Sequence, residues 1–280
     1  MSIDAVTLTA GMRANLVSLQ NLSTQIANTQ EHLSTGKKVN SALDNPTEFF
    51  ASQSLTETAN DLSSVQDSMG QAVQTIQAAN NGITGITSLI EAAKGIAESA
   101  SSSSNTTTVA AYATQYDSIL SQIDSLAKDS GYAGTNLLGG NSLTVTFNDS
   151  TGSSLTLTGT TVSAANLNVT TASTGGSTWS NATSVSSANI TTSLTQLAAA
   201  ETTLNGDSST LSSSLAVINT RQSFTTSMIN TLQTGSDDLT LADMNEESAN
   251  MLALQTQQSL ATTALSLSSQ AQQSVLKLFA

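Results

Sequence analysis

The stretch LTETANDLSSVQDSMGQAVQTIQAANNGITGITSLIEAAKGIAESA, residues 55–100, decides the fold because one apolar stripe runs through all of it. Apolar side chains recur at steps of three and four, which places them on one face of an α-helix. At 1.5 Å per residue, about fifty such residues form a rod of roughly 75 Å, whose narrow seam must be buried on other helices. The stripe comprises Leu55, Ala59, Leu62, Met69, Val73, Ile76, Ile83 and Ile90, with polar breaks at Gln66, Asn80 and Thr87.

The N-terminal region predicts a second single-seam helix followed by a linker at residues 34–45. Gly36 suits the left-handed residue that ends many helices. Asp44 and Asn45 before Pro46 suit the cap and first turn of a new helix. The seam consists of Met12, Leu16, Leu19, Ile26 and Leu33, with Ser23 and Gln30 as polar interruptions.

The spacing of apolar residues changes twice in the middle of the chain. Residues 99–108, SASSSSNTTT, predict a loop, and the stripe over residues 112–126 predicts a helix that folds back antiparallel. Apolar residues then alternate at 143–147 and at 155–157 around the turn-rich NDSTGSS, which predicts a β-hairpin. The polar, low-complexity residues 171–184 predict a surface loop or a short exposed insertion.

Helical stepping returns from residue 194 to residue 232 and predicts a third rod that ends near Gly235. A final helix is expected after residue 238, with Thr240 and Asp243 in capping-box spacing. We therefore predict a mainly α fold: a long, coiled-coil-like helical bundle with paired N- and C-terminal helices and a small central β-hairpin region.

Composition excludes several functional classes. The chain has 280 residues with 20 acidic and 7 basic residues, a net charge of −13, which is the wrong sign for binding phosphates or anionic lipid. It has no cysteine and a single histidine, His32, so disulfides, thiolate metal sites and most acid–base catalysis lack their residues. We expect no enzyme activity, cofactor, metal, nucleic acid or membrane partner.

The terminal helices each carry one seam, and their seams are interrupted by Ser, Thr, Asn and Gln. A lone single-seam helix is marginal in water, so these helices must pair with each other or with other copies. Weak seams favour an assembly that depends on many neighbours over a stable free dimer.

Three stretches resemble bacterial flagellins. LSTGKKVNSALDNPTEFFASQSL, residues 33–55, resembles the signature that follows the first helix of that family. LADMNEESANMLALQTQQSLATTALSLSSQAQQSVLKLF, residues 241–279, is similar to the C-terminal helix of the family. YDSILSQIDSLAKDSGYAGTNLLGG, residues 116–140, is similar to its returning helix and the turn before its hairpin. The resemblance covers nearly everything except about residues 160–190.

The resemblance implies a short flagellin, exported by the flagellar type III apparatus and polymerised into an extracellular filament for swimming. The partners it implies are other flagellin subunits, hook-associated and cap proteins, and an export chaperone. It also implies five segments: the two halves of an inner core domain at 1–45 and 236–280, the two parts of a helical rod domain at 46–140 and 191–235, and a hairpin with a short surface insertion at 141–190.

On this resemblance, Asn40, Ser41 and Asp44 are expected to shape the joint between the inner domains. Arg221 is the only Lys or Arg between residues 129 and 276, and it matches a family pattern INxR. It predicts an ion pair between helices or between subunits, with a plain surface position as the alternative. Self-assembly is expected to rest on terminal-helix residues Leu16, Leu19, Ile26, Leu33, Met251, Leu254, Leu265, Val275 and Phe279.

Two rival functions remain at this point. A hook–filament junction protein shares the terminal architecture but is present in few copies. An enzyme or small-molecule binding domain inserted in the middle is disfavoured, because residues 129–220 contain no His, Cys, Lys or Arg.

Overall fold

A computed structural model describes residues 10–148 and 152–278, and the side chains of residues 11–148 and 152–274. The predicted mainly α fold, with long helices and one small hairpin, is confirmed. The strands pair antiparallel in the register Leu143↔Leu157 and Val145↔Leu155. The elements are α1 (Ala10–Thr35), α2 (Pro46–Ser101), α3 (Thr106–Asp129), β1 (Leu143–Thr146), β2 (Ser154–Leu157), a 3-10 turn (Gly175–Ser177), α4 (Ser187–Thr240) and α5 (Met244–Leu278).

The predicted start and stop signals around residues 34–46 are confirmed. Gly36 has φ +72° and its amide donates to the His32 carbonyl at 2.8 Å, which ends α1. The Asn45 side chain accepts the Glu48 amide at 3.2 Å, and Pro46 opens α2.

The predicted end of the third rod near Gly235 is wrong, because α4 continues to Thr240. A glycine inside a helix costs up to about 1 kcal/mol, which packing can offset. Here the Leu55 side chain lies 3.5 Å from where a Cβ of Gly235 would stand. The capping residue of α5 is Asp243, whose carboxylate accepts the Asn245 amide at 2.8 Å, so the capping box from Thr240 is also wrong.

The chain divides into two compact units. Unit 1 comprises the described part of residues 1–58 and 231–280, and unit 2 comprises the described part of residues 59–230. Both ends of the chain therefore belong to one unit, and the middle of the chain forms the other.

Unit 2 has a continuous apolar core along α2, α3 and α4. On α2 the buried positions follow alternating steps of three and four, the period of a heptad seam. The small residues Ala72, Ala79 and Ala93 occupy this seam, while Asn80 and Thr87 lie beside it. The fully buried large side chains of unit 2 include Met69, Ile76, Ile86, Ile90, Tyr116, Ile123, Leu137, Leu138, Trp179, Ile190, Leu197 and Leu204.

The predicted surface loop at 171–184 contains a core residue. Trp179 is fully buried, its ring lies 4.7 Å from that of Tyr116, and its indole N–H donates to the Ser193 hydroxyl at 3.0 Å. The prediction is wrong at this residue, because a large aromatic side chain with a satisfied N–H is well accommodated in a core.

Acidic side chains of α3 bind two irregular stretches of backbone within unit 2, one of them in the predicted surface loop. The Asp117 carboxylate accepts the Ala172 amide at 2.7 Å and the Ser173 amide at 3.0 Å, and it also accepts the Ser173 hydroxyl. One heptad further on, the Asp124 carboxylate accepts the Ala164 amide at 2.7 Å. Charge-assisted hydrogen bonds therefore replace the ladder bonds that this irregular backbone lacks.

Candidate assembly surface

Helices α1 and α5 pack against each other in unit 1. Met12, Leu22 and Thr29 are the buried side chains of α1, each less than a tenth exposed. Leu22 and Thr29 follow Leu19 and Ile26 by three residues, so the seam on α1 steps by three and four. The terminal helices thus form a pair with a thin, partly polar seam.

The predicted assembly residues differ in their exposure to solvent. Leu16 is 38% exposed. The side chain of Val275 and the whole of Phe279 lie outside the described residues. The remaining predicted residues are half-buried: Leu19, Ile26, Leu33, Met251, Leu254 and Leu265.

Sequence reasoning missed Leu22 and Thr29 because it placed Ser23 and Gln30 on the stripe. Both of these polar side chains are exposed. A signal was present: a step of three from Leu19 reaches Leu22, whereas a step of four reaches Ser23. The apolar choice at that step gives the observed seam.

A second apolar face of α5 is left uncovered. Leu252, Leu260 and Leu267 are 67%, 65% and 64% exposed. At about 100° per residue, these three leucines lie within an arc of about 80°, roughly opposite to the half-buried residues of α5. We call these three residues the leucine face.

One polar contact fixes the ends of the helix pair. Nδ1 of His32, in the last turn of α1, lies 3.0 Å from Oε1 of Glu247, in the first turn of α5. A base at a helix C-terminus and an acid at a helix N-terminus both suit the helix dipole.

Hydroxyl groups form further polar contacts within unit 1. Ser52 and Thr56 of α2 hydrogen-bond Ser236 of α4 at 2.8 and 3.0 Å. Hydrogen-bonded polar side chains thus occupy buried positions in unit 1 that apolar side chains would occupy in a fully apolar core.

Asn40, Ser41 and Asp44 form one hydrogen-bonded turn. The Asp44 carboxylate accepts the amides of Asn40 at 3.0 Å and Ser41 at 2.9 Å, and the Ser41 hydroxyl at 3.1 Å. These bonds, the Ser41 amide foremost, hold the pKa of Asp44 below its usual value. The side-chain amide of Asn40 donates to the side chains of Glu31 at 3.3 Å and Thr35 at 3.1 Å, which connects the turn to the end of α1.

The two segments that connect helices in unit 1 also pair with each other. The Lys38 amide donates to the Thr240 carbonyl at 2.7 Å, and the Ala242 amide donates to the Gly36 carbonyl at 3.0 Å. We call residues 36–45 and 237–246 together the joint.

Arg221 lies in unit 2. Its guanidinium stands over the Phe147 ring, with 5.1 Å from the guanidinium carbon to the ring centroid. This is a cation–π contact between α4 and the residue that follows β1. An ion pair of Arg221 with another subunit stays a prediction.

The described residues contain no cluster of His, Cys, Asp or Glu that could hold a metal ion. Within the same residues, no helix combines the length and apolar character that a membrane span requires.

Comparison with known proteins decides the family. The profile of the bacterial flagellin N-terminal helical region matches residues 7–142. Flagellin FljN of Caulobacter vibrioides is 30% identical over 281 residues, and flagellin FljK of the same organism is 29% identical over 281 residues, each with both chains covered completely. A flagellin of Brucella melitensis is 30% identical over 277 residues, which cover 94% of this chain and 96% of that one. This chain belongs to the flagellin family.

A flagellin is a structural subunit of the bacterial flagellar filament, which serves motility and lies outside the cell. The chain is therefore a structural molecule and not an enzyme. The alternative of a hook–filament junction protein is not favoured, because the full-length relatives are flagellins.

Proposed function

We propose that copies of this flagellin assemble through unit 1, with α1 and α5 as the contact surface. The leucine face carries this proposal, since α5 already packs on α1 and still exposes three leucines to about two thirds. Soluble monomers seldom leave such aligned apolar side chains uncovered without a partner. The predicted residues Leu16, Leu19, Ile26, Leu33, Met251, Leu254, Leu265, Val275 and Phe279 belong to the same two terminal regions.

The energetics suit an assembly with many neighbours. Full burial of one leucine side chain contributes about 1.5–3 kcal/mol, so the leucine face offers a few kcal/mol per copy. Association costs at least about 4 kcal/mol in lost freedom of motion, which one such contact barely offsets. Several neighbours per copy make the sum favourable, as a filament requires.

We also propose the finer organisation expected from the resemblance. Residues 1–45 and 236–280 form an inner core domain, residues 46–140 and 191–235 form a rod domain, and residues 141–190 form a hairpin and surface insertion. The division into two compact units supports a core and a rod, with limits at 58/59 and 230/231. Asn40, Ser41 and Asp44 set the shape of the connection between α1 and α2.

For Arg221 we propose an ion pair with a carboxylate of a neighbouring subunit. Within the described residues, no carboxylate oxygen lies within 4.0 Å of its guanidinium. The contact with Phe147 holds the guanidinium in place and leaves its N–H groups for a partner. Export through the flagellar type III apparatus, an export chaperone, and contacts with hook-associated and cap proteins complete the proposal, and these rest on the family resemblance.

The test replaces the leucine face by serine in one variant, Leu252→Ser/Leu260→Ser/Leu267→Ser. We expect the monomer to keep its helical circular dichroism, because these side chains are exposed, and to lose seeded polymerisation in negative-stain electron microscopy. The matched control, with methionine at the same three positions, keeps the apolar surface and should polymerise. Normal filaments from the serine variant would contradict the assignment of this surface.

A further inference from the structure

A groove of about 360 Å³ lies in unit 2 between α4 and residues 166–168. Of the nine described residues that line it, seven carry a hydroxyl or a carboxamide, and none carries a charge. The carboxamides belong to Asn166, Asn168 and Gln196. The volume falls in the lower part of the range of roughly 300–1,000 Å³ that is typical of small-ligand sites. We call this surface the amide groove.

The loop that forms one wall of the amide groove has a fixed conformation. Leu167 and Val169 are buried in unit 2. The backbone amides of Leu167, Asn168 and Val169 donate to backbone carbonyls at 2.9, 3.0 and 2.9 Å. Asn168 has φ +58°, a left-handed conformation that asparagine adopts more readily than most residues. A ligand can therefore bind this wall without the entropic cost of ordering a loop.

The carboxamides of the groove offer both donors and acceptors to a ligand. Oε1 of Gln196 accepts the amide of Thr170 at 3.2 Å and its hydroxyl at 3.0 Å, which leaves the NH₂ group of Gln196 to donate. Nδ2 of Asn166 donates to the Thr161 carbonyl at 3.0 Å, which leaves Oδ1 of Asn166 to accept. The exposed Asn168 side chain adds one further carboxamide.

Four threonines of α4 supply further acceptors. The hydroxyls of Thr191, Thr192, Thr195 and Thr203 each donate to the backbone carbonyl four residues earlier, at 2.9–3.1 Å. The hydroxyl proton is thus used within the helix, and the oxygen keeps a lone pair for a ligand. The methyl group of Ala199, on the same wall, provides a small apolar contact.

This lining selects the chemical class of the ligand. Residues 129–220 contain no Lys or Arg, and the chain has a net charge of −13, so the groove has no counter-ion for an anionic ligand. The ligand must instead be neutral and must both donate and accept hydrogen bonds. Sugar hydroxyls do both, and the C–H groups of a sugar ring can pack on a methyl group.

We propose that the amide groove binds a neutral saccharide. The site lies within unit 2 of a single copy, so binding does not require assembly into a filament. It adds a ligand site to the structural role of the chain, and it uses residues that neither the leucine face nor the joint contains.

The test titrates the isotope-labelled monomer with N,N′-diacetylchitobiose, a neutral disaccharide whose hydroxyl and acetamido groups donate and accept hydrogen bonds. Backbone amide chemical shifts measured by NMR report the binding site. We expect saturable shifts at residues 166–168 and 191–203. The dissociation constant should be on the order of 1 mM, because each hydrogen bond to the sugar replaces one to water.

A disaccharide of the same size that carries one carboxylate, glucuronic acid linked to N-acetylglucosamine, tests the preference for a neutral ligand. We expect it to bind more weakly by about threefold or more, because the acidic chain repels it and no base in the groove can pair with it. Equal affinity for the two disaccharides would overturn the assignment of a neutral ligand.

Two variants locate the site. Ala199→Met places a larger side chain in the groove and should weaken binding by about tenfold or more, while the monomer keeps its melting temperature because position 199 is exposed. Ala198→Met is the matched control, since Ala198 is exposed on the same helix and does not line the groove. Asn168→Gly keeps the left-handed backbone, removes one carboxamide and should weaken binding by about fivefold.

Two results would overturn the saccharide site. One is the absence of saturable shifts in the wild-type monomer, and the other is equal affinity of the Ala199→Met and Ala198→Met variants. Because these titrations use the monomer, neither result changes the test of polymerisation through the leucine face.

Discussion

Unit 2 buries most of its large apolar side chains, whereas unit 1 exposes many of them to solvent. Of the twelve large apolar side chains that are exposed in the described chain, nine belong to unit 1: Leu16, Val17, Leu43, Phe50, Leu241, Met244, Leu252, Leu260 and Leu267. Unit 2 exposes only Tyr132, Val217 and Phe224 among its described residues.

The difference teaches that the two units draw their stability from different sources. The seams of α2, α3 and α4 cover one another almost completely, so unit 2 has the core of an independent domain. The seam of α1 and α5 is thin and contains Thr29, and the leucine face is exposed within the described part of the chain. We expect neighbouring copies to add to the stability of unit 1, as mass action allows for any partner that binds the folded form.

The largest expected effect comes from the core of unit 2. Trp179→Ala should lower the free energy of unfolding by about 3–5 kcal/mol, since it leaves a large cavity beside Tyr116 and removes the N–H that donates to Ser193. Chemical denaturation followed by circular dichroism measures this. Leu252→Ser in unit 1 should change the same quantity in the monomer by less than about 0.5 kcal/mol, because its side chain is exposed.

Trp179→Phe serves as the control for that comparison. It keeps an aromatic ring against Tyr116 and removes the N–H that binds Ser193, so we expect an intermediate loss of about 1–3 kcal/mol. Equal stabilities of Trp179→Ala and Leu252→Ser monomers would erase the distinction between the units.

A smaller loss in the free energy of unfolding is expected when the Asp117 carboxylate of α3, which binds the backbone at Ala172 and Ser173, is removed. Asp117→Ala removes the acceptor of two backbone amides and one hydroxyl, each a charge-assisted bond in the folded chain. We expect a loss of about 1.5–3 kcal/mol and faster amide hydrogen exchange at Ala172 and Ser173. Asp129→Ala, at an exposed position of the same helix, is the control and should change neither. Unchanged exchange in Asp117→Ala would contradict the role of this carboxylate.

The sequence predicted the helices better than their contacts. Long apolar periodicity, Gly36 and Asn45 with Pro46 located the elements, because these signals act over a few neighbouring residues. The individual seam positions were harder to predict from the sequence. The predicted stripe on α2 runs through Val73 and Asn80, whereas the buried positions are the adjacent Ala72 and Ala79. Small side chains at these positions let two helices approach closely.

Contacts between distant segments could not be predicted at all. The burial of Trp179 within a polar stretch depends on Tyr116 and Ser193, which come from two different helices. The pairing of His32 with Glu247 joins residues that are 215 positions apart. A local pattern contains no information on such partners, so the joint and the leucine face emerge only when the helices are placed.

The smallest expected change in stability is that of a partly buried carboxylate in unit 2, Asp207. Its Oδ2 atom is buried without a hydrogen-bond partner among the described residues, and the side chain borders a cavity of about 30 Å³ with Leu137, Gly159 and Leu211. Burial raises the pKa of Asp207 above its usual value of 3.8. A carboxyl with a raised pKa in the folded state favours folding while protonated, so its contribution is greatest below pH 3.8 and is lost as pH rises through the folded-state pKa.

Asp207→Asn should therefore stabilise unit 2 at pH 7 by less than about 1 kcal/mol, because solvent screens a carboxylate that is only partly buried. The advantage over wild type should vanish below pH 3.8, where the wild-type carboxyl is protonated in both states. Thermal melts of the two chains across this pH range measure the difference, and Asp61→Asn, an exposed acid on α2, is the control. A destabilised Asp207→Asn at neutral pH would mean that the charge is compensated in solution. Unit 2 would then have no uncompensated polar group at this position, and the contrast with unit 1 would be sharper still.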